Sequence, residues 1–287
     1  MTQIFDRDRV RLQSARETSG ADFLWRHIAR ALQDRLLDIK RDFAVGVEIG
    51  PACYVLTDDF LRRKNVAQPF VVSALRNGGQ AVIDEEFLPF KRGSLDVLIS
   101  LGSLHWVNDL PGALLQMRQA LKPDGVLLAA MFGGETLGEL RDVLAQTENA
   151  QYGGISPRVS PFASLPDMAV LMQRAGFALP VVDQEKLTVT YESLPKLIAD
   201  LRGMGQGNAV ARRNGKILSR DFWFAADADY RARYATDDGR LRATAEILYL
   251  IGWAPDASQQ QPLKPGSATH RLADVLRTEE IGTEDFV

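Results

Sequence analysis

The chain has 287 residues, of which 46% are hydrophobic and 25% are charged, a balance typical of a globular protein with a sizeable core. Its formal net charge of −3 argues against a general nucleic-acid-binding protein, which normally carries a basic face. The single cysteine, Cys53, excludes an intramolecular disulfide, and no segment resembles a signal peptide or approaches the ~20 apolar residues of a membrane span, so we expect a cytoplasmic protein.

The first 134 residues alternate between predicted helices and strands. Residues 1–20 are polar and predict a partly ordered arm, and apolar side chains at helical spacing then predict an amphipathic helix over 21–39. Helices are also predicted over residues 54–61 and 109–121, and strands over residues 44–49, 70–73, 81–83, 95–100 and 126–132. Strands and helices that alternate at this spacing indicate a doubly wound α/β sheet.

The segment from residue 84 to residue 134 is the most informative part of the chain. Its two strands are almost continuously apolar and flank an amphipathic helix, the pattern of a βαβ unit in a parallel sheet covered on both faces. In such sheets ligands bind at the carboxyl ends of the strands, beside the switch in strand order. This rule points to Gly50, Ser73, Asp84 and the loop 100–106.

Beyond residue 134 the pattern is less regular. Two strand-like runs, 179–182 and 187–191, are expected to complete the sheet as an antiparallel hairpin. Residues 193–254 are interpreted as an inserted α/β lid, whose apolar run 246–253 suits either a contact between subunits or a core strand. The chain is therefore divided into an N-terminal arm and helix (1–40), a core (41–192), a lid (193–254) and a loose tail (255–287).

Several motifs together resemble a known family. They are FDRDRVR (5–11), DEEFLPF (84–90), SLHWVNDLP (103–111), LKPDG (121–125), MFGGETLGELR (131–141), SPRVSPF (156–162), RAGF (174–177), DLRGMGQGN (200–208), DDG (237–239) and YLIGW (249–253). The resemblance, over almost all of residues 4–270, is to the methyltransferase-like mitochondrial assembly factors of complex I (NADH:ubiquinone oxidoreductase), regarded as arginine hydroxylases. Wider relatives include the malonyl-acyl-carrier-protein methyltransferase of biotin synthesis.

This resemblance implies a Rossmann-like class I methyltransferase fold with a seven-stranded mixed sheet. It implies S-adenosylmethionine as cofactor and a peripheral subunit of respiratory complex I as partner. It also implies that Glu48 and Gly50 hold the cofactor at the first turn, that Asp84 and Glu85 face its adenine, and that Ser100 lies beside it.

The same comparison shows departures from the family's cofactor motif. In the acid-x-Gly-x-Gly-x-Gly turn, Ala52 and Tyr54 stand where the second and third glycines belong, and a tyrosine there is expected to enter or obstruct the methionine end of the pocket. The acid that would bind both ribose hydroxyls is missing at the end of the second strand, where the chain offers Ser73.

Other polar residues support two readings each. His105 is the best general-base candidate by residue type, and Ser103, His105 and Trp106 would form the substrate mouth, although His105 and Trp106 could equally be packing residues. The acidic turn at Asp84 could be a solvated cap, and Cys53 a nucleophile or an inert thiol. The glycines of the GMGQGN segment indicate either a turn that requires positive φ or a site that binds a ligand phosphate. The basic cluster around Arg213 is either a solvated face or a binding patch. No metal site is predicted.

Three functions remain open. The first is a methyltransferase-like protein that acts on or binds a protein partner through a degenerate S-adenosylmethionine site. The second is an active methyltransferase for a small or carrier-bound substrate. The third is a non-catalytic scaffold that has lost the cofactor. None of them involves nucleic acid, and an oligomer is compatible with each.

Overall fold

The structure is a computed structural model, and it describes residues 3–15, 20–50, 54–73, 80–215, 217–260, 266–267 and 269–278. The chain divides into two compact units, Met1–Pro255 and Asp256–Val287. The first unit contains every strand found in the described residues. In the second, one short helix is described, α9 at Leu272–Leu276.

The first unit is built on a seven-stranded mixed sheet. Its strands are β1 (Phe43–Ile49), β2 (Val66–Ser73), β3 (Ala81–Val82), β4 (Leu95–Leu101), β5 (Leu121–Phe132), β6 (Ala178–Tyr191) and β7 (Leu241–Trp253). Their order in the sheet is β3-β2-β1-β4-β5-β7-β6, and β7 runs antiparallel to both of its neighbours. The predicted Rossmann-like, seven-stranded mixed sheet is confirmed.

Helices cover both faces of this sheet. They are α1 (Arg7–Ser14), α2 (Phe23–Asp38), α3 (Asp58–Leu61), α4 (Leu110–Ala120), α5 (Gly138–Tyr152), α6 (Leu165–Arg174), α7 (Leu194–Gly203) and α8 (Arg220–Tyr234), with a 3-10 turn at Leu104–Trp106. Successive β4 residues point to opposite faces, so Ile99 joins a core cluster with Trp25 of α2, and Leu98 joins another with Met117 of α4. Both faces of the central strands are therefore buried, which explains their continuous apolar sequences.

The structure corrects the prediction for the C-terminal part of the sheet. The predicted hairpin at 179–182 and 187–191 is one continuous strand, β6, whose antiparallel partner is β7. Because β6 is an edge strand, one side of it faces solvent and the charged residues Asp183, Glu185 and Lys186 in its middle are tolerated. The apolar run 246–253 lies in β7 between β5 and β6, so it is a core strand and not a contact between subunits. Because β7 belongs to the sheet, the term lid is used below for residues 193–240 alone.

Two helices also differ from the prediction. The helix expected over 54–61 is reduced to α3, and the expected arm contains α1. Helix α1 begins at a side-chain cap, since Asp6 accepts a hydrogen bond from the backbone N–H of Arg9 at 3.0 Å. The cap starts the helix so that Arg7 and Arg11 lie one turn apart on the same side.

Candidate functional site at the carboxyl edge of the sheet

Glu48 organises the loop that follows β1. It is fully buried, and its carboxylate accepts hydrogen bonds from three backbone N–H groups of that loop. The donors are Tyr54 at 2.9 Å, Val55 at 3.0 Å and Leu56 at 2.8 Å. Because these N–H groups would be costly to bury without an acceptor, Glu48 fixes the path of the loop at the edge where this fold brings a ligand.

Gly50 and Tyr54 lie on either side of the centre of this loop. The Gly50 N–H donates to a β2 carbonyl at 3.3 Å and holds the turn against the neighbouring strand. The Tyr54 ring is half-buried and packs against the core cluster on the α2 face of the sheet. Residues 51–53, and with them the predictions for Ala52 and Cys53, lie outside the described residues.

The acid pair Asp84 and Glu85 is bound by two arginines of α1. Arg7 Nη2 donates to Asp84 Oδ1 at 3.0 Å and also contacts Glu85 Oε2, while Arg11 Nη2 donates to Asp84 Oδ2 at 2.9 Å. Glu85 is 1% exposed, whereas the Asp84 side chain keeps 26% of its surface. Burial alone would lower the pKa of the Arg7 guanidinium, but Glu85 and Asp84 outweigh this effect and raise it.

The residues before α1 fasten it over this edge. Asn108 Oδ1 accepts from the backbone N–H of Phe5 at 2.8 Å, and the Phe5 ring packs edge-on against Trp106 with centroids 5.4 Å apart. The Asp6 N–H then donates to the carbonyl of Ala209 in the lid at 2.8 Å. The N-terminal segment thus joins the lid to the acidic edge, and α1 is part of the site.

Sequence reasoning missed Arg7 and Arg11 as members of this site. A usable signal was present, because two arginines one turn apart follow a helix-capping aspartate in the FDRDRVR motif. It could not be used because α1 was read as part of an arm. Nothing in the sequence shows that Arg7 meets an acid 77 residues later.

The predicted serines lie at the same edge. Ser73 is the last residue of β2, and its side chain lies outside the part of the chain that the structure describes. Ser100 and Ser103 are both buried, and their hydroxyl oxygens are 3.1 Å apart. Each hydroxyl therefore has a partner within the protein, and their predicted contacts with cofactor and substrate stay predictions.

His105 lies in an aromatic enclosure beneath the same loop. Its ring centroid is 5.0 Å from that of Phe132, 5.1 Å from Trp106 and 5.7 Å from Phe162. The Nε2 atom is 2.9 Å from Gln206 Oε1, while Nδ1 is buried with no hydrogen-bond partner in the described residues. Burial lowers the pKa of His105 to about 4, against the hydrogen bond with Gln206, which raises it. The imidazole is therefore neutral at physiological pH.

Gln206 belongs to the GMGQGN segment, which brings the lid against α1. At Gly205 the backbone has a φ of +71°, and an added Cβ would stand 2.8 Å from the Cα of Ser14. Glycine therefore permits both the turn and the close approach of the two segments. This geometry fits the interpretation of the segment as turn chemistry.

A cavity of about 910 Å³ lies between the sheet and the residues that follow β6, and we call it the lid cavity. Its wall combines residues of α1, α2, α5 and α7 with the ends of β5, β6 and β7 and with loop residues 204–218. Trp106, Phe132 and Phe162 line it, whereas Ser103 and His105 are not among its lining residues. The lid cavity thus adjoins the carboxyl edge and is large enough for a small-molecule ligand.

Two further searches concern the described residues only. No group of three or more His, Cys, Asp or Glu side chains among them is placed to hold a metal ion. Among the described helices, none combines the length and the apolar character that crossing a bilayer requires.

Comparison with known proteins agrees with this fold. A family described as a methyltransferase domain matches residues 24–181. The human protein named arginine-hydroxylase NDUFAF5, mitochondrial, is 41% identical over 282 residues, which cover 93% of this chain and 81% of the human one. A malonyl-[acyl-carrier protein] O-methyltransferase of Halorhodospira halophila is 30% identical over 262 residues, 86% of this chain and 87% of its own.

Among solved structures, a protein described as a putative methyltransferase from Bacillus halodurans superposes with a TM-score of 0.51. The match covers 78% of this chain and 99% of that one at 14% identity, so it bears on the fold alone. The sequence matches are more specific, since the match to the human relative covers 93% of this chain, whereas the methyltransferase-domain match covers residues 24–181. This chain belongs to the family of methyltransferase-fold proteins that includes the NDUFAF5 arginine hydroxylases.

Proposed function

We propose that this chain acts on a protein partner during the assembly of respiratory complex I, with an arginine side chain of a peripheral subunit as its target. One observation carries the proposal. Identity to the human arginine hydroxylase covers 93% of the chain, whereas the methyltransferase-domain match ends at residue 181. The match to the human relative therefore extends past that domain into the lid, which includes Gln206, the hydrogen-bond partner of His105.

The direct test is genetic and chemical. The gene would be deleted in the organism that encodes this chain and restored from a plasmid, and assembled complex I would be quantified in native gels. Peptide mass spectrometry of the complex I subunits would look for an arginine that carries one added oxygen atom. We expect the assembled complex and the modified arginine to decrease on deletion and to return on restoration. Unchanged complex I in the deletion strain would overturn the proposal.

S-adenosylmethionine is the cofactor that this fold implies, and the described residues are suited to bind part of this cofactor. Glu48 shapes the first loop, and Gly50 allows close approach of the backbone. Asp84 remains partly exposed and can still accept from an adenine amino group, but Glu85 is buried against Arg7. When bound, the cofactor supplies a sulfonium-activated methyl group. The family resemblance assigns the ribose end to Ser73, and a hydroxyl is a weaker acceptor than the carboxylate that is usual there.

We therefore infer weak binding of S-adenosylmethionine, which calorimetric titration with the cofactor and with its demethylated product would measure. Low-micromolar affinity would exclude a scaffold without cofactor, and undetectable binding at millimolar concentration would exclude both cofactor-dependent functions. A matched variant carries Ala52→Gly and Tyr54→Gly. If this variant binds and the parent does not, the altered glycine turn is the cause.

The second candidate is methyl transfer to a carrier-bound acid. It is favoured by the 30% identity to the malonyl-[acyl-carrier protein] O-methyltransferase and by the arginines in the wall of the lid cavity. Transfer of an isotope-labelled methyl group to malonyl-loaded acyl carrier protein would support it. Absence of labelled product at a saturating cofactor concentration would exclude it.

A further inference from the structure

We propose that the lid cavity is a binding site for an amphipathic organic anion, a small molecule with a carboxylate or similar acidic head and an apolar body. The inference concerns the ligand that this wall recognises. It goes beyond the proposed action on a protein arginine and does not depend on it.

The charge of the wall is the first observation. Four arginines line the lid cavity, and none of its described lining residues carries a carboxylate. The arginines come from α1, from the segment before α6, from α7 and from the loop after it: Arg9, Arg158, Arg202 and Arg213. Four cations converge from four separate segments, so the fold and not a local run of charge creates this concentration.

Two of the four are neutralised by acids behind the wall. Arg158 Nη2 lies 2.6 Å from Glu148 Oε1, and Arg213 Nη1 lies 3.2 Å from Asp6 Oδ2. Although burial would raise it, the pKa of Glu148 stays below its usual range because Arg158 and Ser156 donate to the carboxylate. This acid is therefore ionised at neutral pH and offsets its arginine.

The other two arginines keep their charge for a ligand. Arg9 uses Nε to donate to the carbonyl of Asn208 at 3.1 Å, and neither Arg9 nor Arg202 forms an ion pair with a described residue. Guanidinium groups bind carboxylates and phosphates through paired N–H donors. Among the described residues, the four guanidinium groups are offset by two acids, Asp6 and Glu148, so two positive charges of the wall stay uncompensated and favour an anion.

Apolar residues in the rest of the wall suit the apolar body of the ligand. Leu140, Leu144, Leu197 and Trp223 line the lid cavity, and its 910 Å³ lie within the range of drug-sized sites.

The same wall disfavours a cationic side chain. A guanidinium in the lid cavity would meet two like charges and no described acidic lining residue, and like charges at short range repel. A target arginine would therefore have to be bound elsewhere along the carboxyl edge, and the lid cavity is left for a separate small molecule.

Three probes that share an octyl chain test this inference by isothermal titration calorimetry: octanoate, octanamide and octylguanidinium. Two uncompensated cations predict that octanoate binds about tenfold more tightly than octanamide, and octylguanidinium most weakly. Equal affinities would show an apolar cavity without charge selection and would overturn the proposal. So would tightest binding of octylguanidinium, the result expected if the lid cavity holds a target arginine.

Substitutions of the cavity arginines test whether octanoate binds in the lid cavity. Arg202→Gln removes an exposed guanidinium that has no ion pair with a described residue, and it should weaken octanoate binding about three- to fivefold while leaving octanamide binding unchanged. Arg9→Gln should act in the same direction. Arg92→Gln, an exposed arginine near the opposite edge of the sheet, is the matched control. Octanoate selectivity that survives Arg202→Gln and Arg9→Gln together would exclude this site.

These results can be told apart from the outcome for complex I, because calorimetry on the purified chain requires no partner and no turnover. Loss of the complex I phenotype with retained octanoate selectivity would overturn only the proposed function. Loss of octanoate selectivity with a clear complex I phenotype would overturn only this inference.

Discussion

Because His105 is buried and neutral in the folded protein, it should make the protein less stable in acid, and replacing it should remove that part of the acid sensitivity. As the pH falls through 6.5, the ordinary pKa of histidine, the unfolded chain binds a proton at this residue. The folded chain does not do so until the pH approaches about 4. The neutral His105 therefore costs no stability above pH 6.5, and the free energy of unfolding falls progressively between pH 6.5 and 4.

The size of the effect follows from these two pKa values. Between pH 7.5 and pH 4.5, proton binding by the unfolded chain at His105 should lower the free energy of unfolding by about 2.5 kcal/mol. Carboxylates with lowered pKa values add their own acid sensitivity. The informative quantity is therefore the difference between the parent protein and His105→Gln, whose amide N–H can still donate to Gln206.

Urea denaturation at a series of pH values from 4.5 to 7.5 measures this difference. We expect the loss of stability in acid to be smaller by about 2.5 kcal/mol in His105→Gln than in the parent. His270→Gln, at an exposed histidine, is the matched control and should follow the parent. Parallel pH profiles for the parent and His105→Gln would refute the conclusion that His105 is buried as a neutral ring.

Three further predictions concern the carboxyl edge, each measured as the change in free energy of unfolding in urea at neutral pH. Arg7→Ala should cost about 3–5 kcal/mol because it leaves Glu85 buried without its arginine, whereas Arg11→Ala, at the more exposed end of the pair, should cost less than about 1 kcal/mol. Gly102→Ala should cost about 1–3 kcal/mol, since φ is +66° there and the added Cβ would lie 2.7 Å from an indole ring. Glu48→Gln should cost about 2 kcal/mol through loss of the charged acceptor of three loop N–H groups. A change below about 0.5 kcal/mol would contradict the contact on which the prediction rests, for Arg7→Ala, Gly102→Ala or Glu48→Gln alike. Equal costs for Arg7→Ala and Arg11→Ala would contradict the difference in burial between these two arginines.

The central sheet was predictable because its signal is local. Strands β4 and β5 are apolar on both faces, and only a sheet covered by helices on both sides requires that. The edge strand β6 was not predictable in the same way. Its exposed side carries charges in mid-strand, and these resemble a turn between two short strands until the pairing with β7 is known.

The placement of Gly50 and Asp84 at one edge of the sheet was also predictable, but the contacts of Asp84 were not. The rule for parallel sheets places Gly50 and Asp84 at one edge, and the structure places them there. The rule does not reveal that α1 brings Arg7 onto Asp84, because that contact depends on how a separate helix packs. For the same reason, the sequence offered His105 as a general base, whereas its burial beside Phe132 emerges only from the fold.

The sequence by itself determined the central strands and helices, the two-sided core and the family, because hydrophobic period, turn residues and motifs are properties of neighbouring residues. The tertiary structure alone decided which charges meet. The acid pair is bound by arginines some 77 residues away, and the lid cavity takes its cations from residues 9 to 213. The ionisation state of a side chain and the preference of a cavity for one sign of charge depend on burial and on distances through space. Both are set only when the whole chain packs.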